Sequence, residues 1–191
     1  MSVMRSAKPT KQDLADAVSR TVEDLIGHDL KILFCGINPG LYSGATGLHF
    51  ARPGNRFWKV LHGAGFTKRL LDPSEESELL KDGYGITCFV SRTTARANEL
   101  SKEEFIEGGE MLRQKLDIFR PQMLAVLGLG AYRMAFDLPK AQVGPQVEML
   151  GDTRVWLLPN PSGLNANYQI DDLVKLFSEL RNAVEPPAPC P

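Results

Sequence analysis

The sequence has few cysteines, no long apolar run and no excess of positive charge, and each absence removes a class of function. The three cysteines are Cys35, Cys88 and Cys190, and none forms a CxxC pair. That argues against a disulfide framework and a structural zinc site, and an iron–sulfur cluster normally takes about four thiolates. Buried or simply reduced thiols are expected. His, Cys and carboxylates do not cluster at metal-ligand spacing, so no metal and no cofactor are expected. No apolar stretch approaches the roughly 20 residues that cross a bilayer, and none of signal-peptide type opens the chain. No membrane contact and a cytoplasmic location are the default expectations. Lys and Arg number 22 against 23 Asp and Glu, a net charge of −1. Strong non-specific clamping on phosphates is disfavoured, while a local basic rim remains compatible with a nucleic-acid partner. Neither a Walker Gly-Lys-Ser/Thr nor a GxGxxG fingerprint is present, so the Gly-rich loop is not a phosphate cradle of either kind.

What remains is an ordinary globular composition, 43% hydrophobic and 24% charged over 191 residues, enough for one domain with a sizeable core. Residues 1–9 read as a flexible N-terminus, 10–184 as a single domain and 185–191 as a Pro-rich tail. Thr10 with Asp13 resembles a capping box, and Leu14, Val18, Val22 and Leu25 follow at helical spacing. Leu30–Gly36, Ile86–Val90, Gln122–Gly128 and Arg154–Leu158 read as strands. A Gly-rich loop spans Ile37–Gly54, and Asn55 is placed to cap a helix carrying Phe57, Trp58 and Leu61. Asp72-Pro73 opens a short helix. Ser101 with Glu104 caps a helix running to about Phe119, another follows through Tyr132 and Phe136, and a last one carries Ile170, Leu173, Phe177 and Leu180. Strands alternate with helices and are apolar on both faces. This pattern predicts an α/β fold with a mostly parallel twisted sheet covered on both sides, in which ligands bind at the carboxyl ends of strands.

Two loops at such ends carry unusual chemistry. In Gly36-Ile37-Asn38-Pro39-Gly40, proline biases Asn38 toward an extended conformation at a strand tip. Its amide offers a donor and an acceptor but no general-base pKa. It can position a water or read a base edge; it can equally staple a βα turn. Phe50 is a candidate to stack on a base or to anchor the loop in the core. His49 is expected to be solvated, and Phe57 and Trp58 to be core. The second loop, Asn160-Pro161-Ser162-Gly163-Leu164-Asn165, again stiffens an amide at a strand tip. Leu164 stands where a DNA wedge would sit, or folds back onto the core, which local sequence alone favours.

Taken in order, these residues resemble the uracil-DNA glycosylase superfamily, in its mismatch-specific branch, the bacterial Mug and thymine-DNA glycosylase family. Gly36-Ile-Asn-Pro-Gly-Leu41, Phe50 and Gly54-Asn-Arg-Phe-Trp-Lys59 are similar to the first motif and its extension. Asn160-Pro-Ser-Gly-Leu164 is similar to the second, and Glu107-Gly-Gly109 and Val126-Leu-Gly128 to landmarks between them, over about residues 24–184. The resemblance implies a three-layer α/β/α fold. It implies a monofunctional hydrolase removing uracil, with thymine or other damaged bases open, opposite guanine in double-stranded DNA during base-excision repair. Asn38 would position the water. Ile37, Ser43, Phe50 and Asn160 would form the base pocket, and Gly163, Leu164 and Asn165 the wedge facing the opposite guanine. A cytoplasmic monomer acting on G:U or G:T mismatches, without cofactor, is the corresponding expectation. Cys88 and Ser91 stand where a well-known bacterial relative has Lys and Asp, Tyr42 replaces a small residue, and Asn165 replaces the usual Ser. These departures bear on base range and catalytic strength rather than on reaction type. Three other readings stay open: a small-molecule α/β hydrolase, a catalytically weak mismatch-binding protein, and a broad uracil glycosylase acting equally on single strands.

Overall fold

The computed structural model describes residues 8–185. Most of the N-terminal segment and of the Pro-rich tail, with Cys190, lies outside the described residues. Five strands form one sheet: β1 (Ile32–Gly36), β2 (Tyr84–Cys88), β3 (Met123–Leu127), β4 (Gly144–Pro145) and β5 (Arg154–Leu158). Their order is β2-β1-β3-β5-β4. The first four neighbours run parallel, and β4 pairs antiparallel with β5. The two-residue β4, Gly144–Pro145, has no hydrophobic pattern that would mark it in the sequence.

Alternation along the strands explains why they read as continuous apolar runs. Ile32, Phe34, Ala125, Leu127, Trp156 and Leu158 face one core with α3 (Phe57–Gly63) and α7 (Ile170–Val184). Leu33, Cys35, Leu124, Val126, Val155 and Leu157 face the other with α5 (Lys102–Phe119) and α6 (Leu129–Phe136). Both faces are covered, so the strands are apolar apart from Arg154 at the exposed start of β5 and the buried Thr87, whose hydroxyl is paired with Asp24 and Lys115. The fold is the expected mostly parallel α/β sheet with helices on both sides. Phe57 and Trp58 are core, as expected, at 0% and 5% exposure.

Local signals behave unevenly. Both capping boxes form, at Thr10/Asp13 and Ser101/Glu104. The first helix, α1 (Lys11–Asp16), is much shorter than the apolar spacing suggested and buries none of its residues. Ser19 turns with φ +61 and Val18 is exposed. Beyond it the chain bridges Thr21 to Arg92 and Leu25 to Ile86. Backbone pairing along the outer edge of β2 wins over continued helix, and it buries Val22 without helical periodicity. The Gly-rich loop contains a helix, α2 (Leu41–Thr46). The segment opened by Asp72-Pro73 is a 3₁₀ turn, Pro73–Glu75, followed by α4 (Glu78–Lys81). The second strand lies two residues earlier than read, at Tyr84–Cys88. Phe89 and Val90 nevertheless donate backbone N–H groups to the Gly36 and Ile37 carbonyls, at 3.1 Å each. Pairing thus carries on from β2 into the loop that follows it.

Candidate active site

The chain leaves β1 toward β2 on one side and returns at β3 on the other, so the strand order reverses at β1. A cleft of about 490 Å³ opens there, at the carboxyl ends of β1, β2, β3 and β5, lined among others by Gly36, Cys88, Leu127 and Asn160. This is where parallel sheets bind ligands.

Asn38 lies in this cleft. Its Nδ2 donates to the Thr94 hydroxyl at 2.8 Å, the Arg92 carbonyl at 3.1 Å and the Pro39 carbonyl at 3.2 Å. Thr94 Oγ1 in turn donates to the Arg96 carbonyl at 2.9 Å, so it can only accept from Asn38. The amide orientation follows from this network. Oδ1 is left as an acceptor with no donor among the described residues. Two of the three partners, Arg92 and Thr94, come from the segment after β2, which also holds Thr94 N–H against the Pro39 carbonyl. Thr94–Asn98 line the cleft, and no sequence motif pointed to them.

The base-pocket candidates come together. Ser43 is buried on α2 and Ile37 sits at the tip of β1, both lining the cleft. The Ile37 carbonyl is already occupied by Val90 N–H. Phe50, in the left-handed region at φ +50, lies flat on Phe57 with centroids 4.0 Å apart and planes at 24°. The two readings of Phe50 therefore coexist: the ring is anchored on the core and still lines the cleft.

His49 corrects the expectation of a solvated residue, being only 4% exposed. The Glu76 carboxylate receives both its backbone N–H, at 2.8 Å, and its Nδ1, at 3.1 Å. Trp58 Nε1 donates to its carbonyl at 3.3 Å. The carboxylate selects the tautomer with the proton on Nδ1. Glu76 lies 27 residues away, which is why a reading of the loop by itself places His49 in solvent. Cys88, also on the cleft wall, has its thiol pushed up to about 12 by burial first and by the Asp24 carboxylate second, with Lys115 opposing. It is a neutral thiol at physiological pH rather than a nucleophile.

The loop after β5 forms the other wall. Asn160 Oδ1 accepts Ser162 N–H at 2.8 Å, and Asn165 Nδ2 donates to the Asn160 carbonyl at 3.0 Å. Leu164 is 72% exposed, which removes the core-staple reading. It lines both the cleft and an adjoining groove shared with Gly54 and Gly163. A Cβ on Gly163 would lie 2.7 Å from the Gly54 carbonyl oxygen, so the two loops touch only because this residue is glycine. Arg56, unremarked in the sequence beyond its place in a motif, reaches into this loop with its whole guanidinium. Among the described residues no three His, Cys, Asp or Glu side chains are grouped so as to hold a metal ion.

A family model for the uracil DNA glycosylase superfamily matches residues 24–183. The chain belongs to this superfamily. The matched span takes in all five strands and both Asn-Pro turns. The fold is also similar to the solution NMR structure of a "putative Uracil DNA glycosylase" from Methanosarcina acetivorans, with TM-score 0.56 and 17% identity over 85% of this chain and 98% of that one. At that identity the likeness is one of fold. In the superfamily frame, the residues outside the motifs that shape the cleft of this chain are Thr94 and His49 with Glu76, while Arg56, inside the extension of the first motif, braces the loop after β5.

Proposed function

We propose that this superfamily member is a monofunctional, mismatch-directed DNA glycosylase of the Mug and thymine-DNA glycosylase branch. It hydrolyses the N-glycosidic bond of uracil, and of thymine or other damaged bases more slowly, opposite guanine in double-stranded DNA. It acts as a cytoplasmic monomer. The observation that carries this reading is the locked amide of Asn38, whose acceptor, unpaired among the described residues, belongs to a cleft of about 490 Å³, roomy enough for a flipped nucleotide.

A stacked base shields its sugar carbon, so the nucleotide must first leave the duplex, which costs a few kcal/mol and least for a wobble pair. The flipped base lies against the open face of Phe50, a contact worth about 1–3 kcal/mol. Asn38 Oδ1 accepts one hydrogen of the water and aims its oxygen at the sugar carbon. An amide is no base, so the glycosidic bond breaks ahead of attack. Charge then builds as a cation on the sugar and an anion on the departing base, and fixed dipoles around the base stabilise the latter. The water then adds to the sugar carbon, and its proton passes to the departed base anion. Cys88 contributes no charge to the wall, so shape rather than a fixed charge selects the base on that side. Leu164, exposed beside the cleft, fills the gap in the stack.

The test is a panel of oligonucleotides carrying uracil, thymine or hypoxanthine opposite guanine or adenine, or unpaired, under single-turnover conditions. Uracil should be released from G:U faster than from A:U and more slowly from single strands. Equal rates on all three would favour a broad uracil glycosylase. Binding to G:U without release would favour a mismatch-binding protein, and no DNA recognition at all would favour a small-molecule hydrolase.

A further inference from the structure

Arg56 stands between the Gly-rich loop and α3, as the residue preceding the first helical turn. Its Nε donates to the Pro161 carbonyl at 3.2 Å, Nη1 to Tyr168 at 2.5 Å, and Nη2 to Ser162 at 2.7 Å and Asn165 at 3.0 Å. Its backbone N–H also reaches the Pro161 carbonyl. The four carbonyls span the loop from its second proline to the residue before the cap of α7. That loop has no ladder of its own. Its internal bonds are short local ones, such as Leu164 N–H to Ser162 Oγ at 3.3 Å and Asn165 N–H to the Ser162 carbonyl at 3.0 Å. One planar guanidinium is therefore the common point on which the loop is wound, and Gly163 rests on Gly54 two residues upstream of it.

We infer that Arg56 is the positioning residue of the wedge, holding residues 161–168 in the one curvature that leaves Leu164 outward and ready for DNA. This rests on the glycosylase reading above. A wedge ordered before contact avoids the entropy of ordering it on the duplex. The role needs arginine: several donors in a rigid plane address carbonyls in different directions, whereas lysine offers a compact ammonium on a flexible stem. Arg56 lines neither the cleft nor the adjoining groove, so it acts through Leu164.

The experiment compares wild type, R56K, R56Q, L164A and the R56Q/L164A double variant. Amide hydrogen exchange of residues 162–168 in the free protein reads loop order. Fluorescence of 2-aminopurine beside an abasic-site analogue opposite guanine reads insertion without chemistry. Single-turnover rates on G:U duplex and single-stranded uracil read the consequence. R56Q should lose amide protection in the loop and the fluorescence response. It should slow paired excision by about tenfold to a hundredfold, the scale of a small misplacement remote from the chemistry, while single-stranded uracil changes little. R56K should recover only part of each. The double variant should be no slower on G:U than the slower single variant, because both act through one element. Equal slowing on both substrates with unchanged loop exchange, or multiplicative losses in the double variant, would overturn the inference. Should the wild type release no base from any substrate, the glycosylase reading fails, and exchange with fluorescence still decides whether Arg56 positions Leu164.

Discussion

The amide of Asn38 has its nitrogen facing three oxygens and its own oxygen facing the cleft. Two substitutions separate its two ends. Asn38→Ala removes both and should cost at least about two orders of magnitude in single-turnover base release, the scale of positioned proton-handling or water-orienting groups, with mismatched DNA still bound. Asn38→Asp keeps an oxygen toward the cleft but sets a second one against the Pro39 and Arg92 carbonyls. It should therefore also lose stability at neutral pH, by about 1 kcal/mol, the low end for a polar group deprived of its partners, because the site is only partly buried and the Thr94 hydroxyl can turn to donate, measured by denaturant unfolding. Unchanged stability in this variant would mean that the amide nitrogen is not the end that holds the loop.

At the scale of elements, the cleft depends on how the segment after β2 is pinned. Arg92 clamps Glu104 bidentately, at 2.5 and 2.9 Å, from the loop to the start of α5. The Arg92 guanidinium first, then the Ser101 N–H, hold the Glu104 carboxyl down to about 2. A depressed carboxylate pKa stabilises the fold above the ordinary carboxylate range, and that contribution disappears as pH falls toward the folded value. E104Q should therefore melt below wild type at neutral pH, and the gap should close as pH falls from about 5 to about 2; a gap independent of pH would contradict the ion pair. The same segment is braced from behind by Gly108 on α5, where a Cβ would lie 2.3 Å from the Phe89 carbonyl oxygen. Gly108→Ala must push helix and strand end apart, at a cost of about 1–3 kcal/mol for overpacking. A melting temperature equal to wild type would show that this contact has room to yield.

For the molecule as a whole, charge and chemistry suggest a light grip on DNA. With a net charge of −1, and Arg52 and Arg96 on the cleft lining, few phosphates are neutralised. The dependence of log affinity on log salt should be shallow, no steeper than about −3, corresponding to about three phosphate contacts. A slope steeper than that would point to a basic surface other than the cleft. The proposed hydrolysis uses a water and fixed dipoles, so base release should survive exhaustive EDTA treatment. Loss on chelation, restored by one divalent ion, would require a ligand set not recognised among these residues.

Much of this architecture is local in origin. Strands that are apolar on both faces had to lie inside a covered sheet, because neither face tolerates water, and Leu33 and Phe34 do serve opposite cores. The Thr10 and Ser101 boxes formed because their partners are three residues away. Asn-Pro stiffened two strand tips wherever the sheet placed them. The failures share one cause, that the deciding partner is remote in the chain. Helix after Asp16 lost to pairing with the edge of β2, which no periodicity can announce. His49 is buried by a carboxylate 27 residues on, and Asn38 is oriented by a hydroxyl 56 residues away. The loop carrying Leu164 is wound on an arginine more than a hundred residues earlier. Directional polar contacts between distant segments leave no periodic trace in sequence, and here they set which atoms of the site are free to react.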